Sequence, residues 1–154
     1  MKYNKDKFFM TIAHIISRQS HCVSKQVGAI IVYEDRIISM GYNGTPSGYV
    51  NCCDVFNPNN FDKNKHHIFS SNYEIHAEAN AIAFAAKSGL STKDSTMYVT
   101  LSPCNDCAKL IIASGIKRVV YDKLYTNNSI DVIEFLKTNK VEVSQSTFDI
   151  NLLK

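Results

Sequence analysis

The chain has 154 residues, 45% of them hydrophobic, which is enough for one domain with a sizeable core and excludes a disordered chain. We expect a single domain over residues 1–154. Its 17 Lys and Arg against 14 Asp and Glu give a formal charge of +3, too weak to indicate a nucleic-acid groove. We therefore expect no polynucleotide partner.

The start of the chain and its cysteines indicate an intracellular protein. No signal peptide is visible, and the longest apolar runs, such as 81–86, are too short to span a bilayer. We expect a cytoplasmic protein that has no membrane partner. The cysteines number five, and an odd set without an export signal is better explained by metal ligation or catalysis than by disulfides.

The first half of the chain predicts a helix, a hairpin and a long loop. Apolar residues at helical spacing predict a helix over 5–19. β-Branched runs at 28–33 and 36–40 predict two antiparallel strands joined by a two-residue turn. Residues 44–70 show no periodicity, and we predict a loop without secondary structure, either functional, externally stapled or disordered.

The second half alternates helices with strands. Ser102 and Pro103 are predicted as the N-cap and first residue of a helix that runs to about residue 114. The other predicted elements are helices over 75–88 and 129–138 and strands over 96–101, 117–121 and 141–143. This order implies right-handed crossovers and parallel strands. The expected fold is α/β: a mixed five-stranded sheet with helices on both faces and its last strands parallel.

Two short motifs carry the chemistry. Cys104 and Cys107 form a C-x-x-C motif, which alone is ambiguous between redox and metal chemistry. His76 and Glu78 form an H-x-E motif at the start of the preceding helix, and Pro103 immediately precedes Cys104. H-x-E followed by P-C-x-x-C is the signature of zinc-dependent deaminases.

The residue types support a catalytic zinc on physical grounds. Cys104, Cys107 and His76 supply two thiolates and one imidazole, and three protein ligands leave a fourth position open for water. Zinc lowers the pKa of that water to about 7, so a nucleophile is available at neutral pH. Glu78 is then predicted to carry protons from the water to the pyrimidine ring and the leaving amine.

Simpler interpretations exist for each motif alone. The His-Ala-Glu triplet is compatible with a solvated helix start, and the cysteine pair with two buried thiols or a redox pair. A four-ligand structural zinc is a further alternative, in which a third cysteine completes the site. The joint occurrence of both motifs in a strand-to-helix context favours the catalytic zinc.

At this point the chain resembles the deoxycytidylate (dCMP) deaminases, in particular their phage-type branch, within the three-layer cytidine-deaminase-like fold. The resemblance covers about residues 17 to 125. The matching segments are SKQVGA at 24–29, GYNGTPSG at 41–48, EIHAEANAI at 74–82 and YVTLSPCNDCAK at 98–109. It implies hydrolysis of dCMP to dUMP and ammonia, the step that supplies dUMP for thymidylate synthesis.

The resemblance also implies roles for individual residues. His76, Cys104 and Cys107 would bind the catalytic zinc, and Glu78 would be the acid/base. The implied substrate-binding residues are Asn43, Ala77, Tyr125, Ser24 and Lys25. Of these, Ser24 and Lys25 would lie toward the phosphate. The resemblance also implies a homo-oligomer, often a hexamer, with dCTP and dTTP as effectors. A viral origin would place the enzyme in the host cytoplasm.

A second, structural zinc is predicted beside the long loop. By position in phage-type enzymes, its four ligands would be Cys22, Cys52, His66 and Glu74. Four ligands leave no place for water, as structural zinc prefers. Cys53 and His67 are the nearest competing ligands, and scattered free thiols in a polar surface loop are the alternative.

Two rival functions stay open. The first is a deaminase of the same fold that acts on cytidine, guanine, tRNA adenosine or a single-stranded polynucleotide. The second is a non-catalytic zinc module, which the presence of Glu78 and the open ligand position disfavour.

Overall fold

The computed structural model describes residues 3–154. Its five strands are β1 (Gly28–Tyr33), β2 (Arg36–Tyr42), β3 (Thr96–Leu101), β4 (Arg118–Lys123) and β5 (Glu142–Gln145). Its α-helices are α1 (Lys5–Ser17), α2 (Cys52–Val55), α3 (Lys63–Tyr73), α4 (Ala77–Lys87), α5 (Asn105–Ala113) and α6 (Val132–Thr138). A 3-10 helix covers Ile150–Leu153 near the end.

The strands form one mixed sheet in the order β2-β1-β3-β4-β5. β1 is antiparallel to both of its neighbours, whereas β3, β4 and β5 run parallel to one another. The hairpin turn uses Glu34 and Asp35 in the left-handed region, with φ of 48° and 60°. These are the signs that a primed two-residue turn requires. The predicted mixed sheet with parallel last strands is confirmed.

Helices cover both faces of the sheet, as predicted. Ala29 and Ile31 of β1 face a core that contains residues of α4, α5 and α6. Ile30 and Val32, on the opposite face of the same strand, pack with Phe9, Met10 and Ala13 of α1. Alternate residues of one strand are therefore buried on opposite sides, which makes the central strand the middle layer of three.

The prediction of a structureless loop at 44–70 is wrong in part. α2 begins at Cys52, and α3 begins at Lys63, where the side chain of Asp62 accepts hydrogen bonds from two backbone amides. α3 buries only His66 and Phe69 along its length. Its stability depends on these local caps and aromatic contacts, and two buried positions give too short an apolar stripe for a periodicity argument.

The predicted start of the helix at Ser102 is also wrong. α5 begins at Asn105 with Cys104 as its N-cap, and the Ser102 hydroxyl instead accepts a hydrogen bond from the Tyr125 amide at 2.7 Å. Among the described residues, no helix has the length and apolar character needed to cross a membrane.

Candidate active site

The N-termini of α4 and α5 lie next to each other at one end of the sheet. His76 is the N-cap of α4 and Cys104 is the N-cap of α5, and both have extended backbone conformations. Neither side chain caps its own helix, so each is free to project from the helix tip. Cys107 follows in the first turn of α5 and is buried. This explains how residues from two distant motifs reach one point.

The spacing of these three side chains fits a tetrahedral zinc ion. His76 Nδ1 lies 3.4 Å from Cys104 Sγ and 3.4 Å from Cys107 Sγ. An ion about 2.3 Å from sulfur and about 2.0 Å from nitrogen places such ligand atoms roughly 3.5 Å apart. His76 is exposed while Cys107 is buried, so one side of the cluster faces solvent. The cluster thus has three ligands and an accessible fourth direction.

The protonation of the cysteine pair also favours a cation. The hydrogen bond from Cys107 lowers the pKa of Cys104 to about 4, so this thiol is a thiolate at neutral pH. The hydrogen bond to Cys104, together with burial, raises the pKa of Cys107. The hydrogen bond to Cys104 raises the pKa of His76. A bound metal would replace the remaining thiol proton, because zinc ligands bind deprotonated.

Glu78 lies in the first turn of α4, two residues after His76. Its side chain is buried, with 5% of its surface exposed, and burial raises the pKa of its carboxyl group. A carboxyl group with a raised pKa holds and releases protons nearer to neutral pH than an exposed one. The structure therefore places a candidate acid/base beside the three candidate ligands.

Three of the predicted substrate-binding residues lie in one neighbourhood. Asn43 follows the last residue of β2, and its side chain accepts from Val27 N and donates to Lys25 O, both at 2.8 Å. The Lys25 ammonium lies 4.9 Å from the centre of the Tyr125 ring. The structure thus connects Asn43, Lys25 and Tyr125 through direct contacts.

The two other predicted substrate residues differ in their surroundings. Ser24 is exposed on the same loop as Lys25. Ala77 is the first residue of α4 and its side chain is buried, which leaves its main chain as the part available to a ligand. The first amides of a helix have no partner within the helix, so they are suited to bind a polar group.

Two serines that the sequence did not single out support this neighbourhood. Ser20 is buried, donates to Asn43 O at 2.8 Å and accepts from Cys22 N at 3.2 Å. Ser102 holds the main chain of Tyr125. Ser102 lies next to the P-C-x-x-C motif, but nothing in the sequence around Ser20 distinguishes it from a surface serine.

A second group of metal-binding side chains lies beside this neighbourhood. Cys22, Cys52, His66 and Glu74 offer ligand atoms that all lie within 4.8 Å of one another. Cys22, Cys52 and His66 are buried. The competing residues are elsewhere: His67 is exposed, and exposed Cys53 has its sulfur 3.7 Å from His21 Nδ1.

The chemistry of this second group also fits a cation. Both carboxylate oxygens of Glu74 are buried without a hydrogen-bond partner. Burial raises the pKa of Cys52 to about 12. A buried unpaired carboxylate beside buried thiols is unfavourable, and a divalent cation bound by all four groups would compensate for it.

Comparison with known proteins adds to this geometry. The sequence profile of the family described as "Cytidine and deoxycytidylate deaminase zinc-binding region" matches residues 3–123. The chain belongs to this family. The match includes both motifs of the candidate active site and every side chain of the second group.

Individual members of the deaminase family are similar over most of the chain. The Deoxycytidylate deaminase of Enterobacteria phage T4 is 41% identical over 165 aligned residues, which cover 87% of this chain and 86% of that protein. The yeast Deoxycytidylate deaminase from Saccharomyces cerevisiae is 32% identical, over 96% of this chain and 46% of that one. A crystal structure of the dCMP deaminase from the cyanophage S-TIM5 with dCMP and dUMP has a TM-score of 0.77 and 35% identity, covering 95% of this chain and 99% of that one.

Proposed function

We propose that this chain hydrolyses dCMP to dUMP and ammonia. The observation that carries this proposal is the meeting of His76, Cys104 and Cys107 beside the buried carboxyl of Glu78. The named activity of the similar proteins, dCMP deamination, matches the chemistry that these four groups allow. The product dUMP would supply thymidylate synthesis. We place the reaction in the cytoplasm, which is the cytoplasm of the host if the chain is viral.

In this proposal, His76, Cys104 and Cys107 hold the zinc. When bound, the metal supplies an activated water as the nucleophile. Glu78 accepts a proton from the water and donates one to N3 of the cytosine ring, so that oxygen adds at C4. The same carboxyl group would then take the proton of the hydroxyl group now on C4 and deliver it to the exocyclic amine. The bond between C4 and that nitrogen breaks, the oxygen on C4 becomes the carbonyl of dUMP, and ammonia leaves.

The neighbouring residues would hold the nucleotide. Asn43 and the main chain at Ala77 are proposed to contact the base and sugar, and Tyr125 lies at the edge of the same region. Lys25 and Ser24 are proposed to face the phosphate. The Lys25 ammonium over the Tyr125 ring keeps a positive charge near this region, which suits a phosphate.

Substrate preference tests the proposal. Ammonia release is measured for dCMP, dCTP, cytidine and deoxycytidine under the same conditions. We expect kcat/KM for dCMP to exceed that for deoxycytidine by at least about 100-fold, because groups that bind a phosphate are left unpaired by the nucleoside. Equal efficiency on the nucleoside would assign the chain to free-cytidine deamination, and no turnover of any of the four would favour a non-catalytic zinc module.

A second zinc at Cys22, Cys52, His66 and Glu74 is part of the proposal. Support comes from the short distance between Cys22 Sγ and His66 Nε2, 3.5 Å, and from the unpaired carboxylate of Glu74. Metal analysis of the purified chain should give two zinc ions per chain. One zinc per chain, with an unchanged value in Cys52→Ala, would contradict this part.

We also propose that the chain forms a homo-oligomer, a hexamer by resemblance to its family, with dCTP and dTTP as effectors. Phe84 on α4 and Leu110 on α5 are exposed, at 54% and 44%, and apolar side chains of this kind support association between subunits. Sedimentation analysis with and without each nucleotide would measure the assembly. A monomer that responds to neither nucleotide would contradict it.

A further inference from the structure

The first turn of α4 lacks a support that helix starts commonly have. Its N-cap, His76, makes no side-chain hydrogen bond to the helix, because its ring projects toward the two cysteines. An uncapped helix start frays unless other contacts hold it. Glu78 lies in this turn, so its position depends on contacts that come from outside the helix.

Those contacts come from β2. Gly41 allows the backbone of α4 to approach closely, since a Cβ atom at Gly41 would lie only 2.4 Å from Ala77 O. The buried hydroxyl of Ser39 donates to Ala81 O at 2.6 Å. Before the helix, Gly44 and Ile75 form an antiparallel bridge through two backbone hydrogen bonds. These contacts set the depth of α4 against the sheet.

Asn80 makes a side-chain hydrogen bond from α4 to the end of β2. Its Nδ2 donates to Tyr42 O at 3.0 Å, and Asn80 is partly buried. Asn80 is two residues after Glu78 and therefore points away from it, at about 200° around the helix axis. Tyr42 immediately precedes Asn43. One hydrogen bond thus connects the segment that carries the acid/base to the segment that carries Asn43.

We propose that Asn80 is a positioning residue that fixes the rotation of the first turn of α4, and with it Glu78, relative to Asn43. This inference rests on the proposed function of Glu78. Asn43 has its own anchors in Val27 N and Lys25 O, so loss of the Asn80 bond leaves Asn43 in place. Glu78 lies in the first turn of α4, whose N-cap makes no side-chain hydrogen bond, so the effect of losing the Asn80 bond falls on proton transfer.

The test compares Asn80→Asp with a matched control. Asp has the shape of Asn but no Nδ2 donor, and it places an acceptor against the Tyr42 carbonyl. Asn139→Asp is the control, because the exposed Asn139, the C-cap of α6, donates from Nδ2 to Phe135 O at 2.8 Å, far along the chain from the site. Zinc content, folded fraction, kcat and KM for dCMP are measured for each variant.

We expect kcat of Asn80→Asp to fall about 10- to 100-fold with KM within about threefold, because misplacement of a catalytic group by an ångström costs about 100-fold. Hydrogen–deuterium exchange of the 75–82 peptide in zinc-loaded protein should increase in Asn80→Asp and stay unchanged in Asn139→Asp. Asn80→Gln, which retains the amide, should recover part of kcat. If Asn80→Asp does not fold, Asn80→Ser, which lacks the reach but adds no charge, replaces it.

Two results would overturn this role. One is wild-type kcat and wild-type exchange at 75–82 in Asn80→Asp. The other is a loss of activity fully accounted for by lost zinc or a smaller folded fraction. Failure of the proposed function would look different: the wild-type chain itself would not deaminate dCMP, while the exchange comparison would still report on the Asn80 bond.

Discussion

The candidate active site and the second metal-binding group use the same residue types but different parts of the fold. The candidate active site would take its ligands from two helix starts that are packed on the central sheet, and its His76 is exposed. The second group gathers Cys22 from a loop, Cys52 from α2, and His66 and Glu74 from α3 and its C-cap, and three of the four are buried. The sheet positions the first set of ligands, whereas metal binding itself would hold the second set together.

This difference supports the proposed division, in which the first centre serves catalysis and the second serves structure. An open centre with three ligands leaves space for water and substrate, whereas a closed centre with four ligands has none. Removing one centre at a time tests this division.

The largest effect is expected from Cys104→Ala. We expect loss of one zinc per chain, near-complete loss of activity, and a fall in melting temperature that reflects only the lost metal, because α5 stays packed on the sheet. Metal analysis, ammonia release and thermal unfolding measure the three quantities. Unchanged zinc and turnover in this variant would show that the active site is misassigned.

Glu78→Gln should come next. The change keeps the shape of the side chain and the metal ligands but removes the carboxyl group that moves protons. General acid–base catalysis contributes about 10²–10⁴-fold, and we expect a loss near the upper end because one carboxyl serves several transfers. Zinc content should equal that of the wild type. Near-normal turnover would mean that another group carries the protons.

Cys52→Ala should lower the free energy of unfolding more than it lowers the deamination rate. A ligand held at about 100 times its dissociation constant stabilises the folded state by about 2.7 kcal/mol, and loss of the second zinc should remove a contribution of this order. Hydrogen exchange should rise across 44–75 and stay low in β3. Cys53→Ala is the matched control, since this neighbouring cysteine is exposed and outside the group. Equal stability of both variants would contradict the structural role.

The smallest effect is expected from an ion pair remote from both centres. Arg118 donates two hydrogen bonds to Asp6, at 2.9 and 2.7 Å, and these lower the pKa of Asp6 from its ordinary 3.8. Stability from this pair is therefore fully present above about pH 4 and is lost as pH falls through the lowered value. Asp6→Asn should cost about 1–2 kcal/mol at neutral pH and less at the lowest pH at which the chain stays folded. A chelator should not change the stability difference between Asp6→Asn and the wild type, because the pair binds no metal. An equal loss of stability at both pH values would exclude the ion pair as the cause of that loss.

The sequence predicts the grouping of His76, Cys104 and Cys107 because the information for it is local. His76 and Glu78 lie in one triplet, Cys104 and Cys107 lie in one turn, and the flanking β-branched and alanine-rich segments have strong periodicity. The mixed sheet followed from the order of these elements. The start of α5 was wrong by a few residues, because Ser102 is a good N-cap residue whose hydroxyl is used by Tyr125 instead.

Other features could not be predicted because they depend on tertiary contacts. α3 has few buried residues, and its place is set by His66 and Phe69 packing against Phe56. Asn80 and Ser39 act on backbone atoms of elements that are about 40 residues away in sequence. A side chain that bonds to a carbonyl leaves no trace of that partner in the sequence, since every residue has the same carbonyl.

The two hydrogen bonds of the Asn43 side chain restrict the polarity of any molecule that contacts it. Its oxygen faces the Val27 amide and its nitrogen faces the Lys25 carbonyl, so the amide group has one orientation. One hydrogen on the nitrogen and one lone pair on the oxygen remain unused. An inhibitor designed for this position should therefore offer an acceptor to the nitrogen and a donor to the oxygen, in that fixed arrangement.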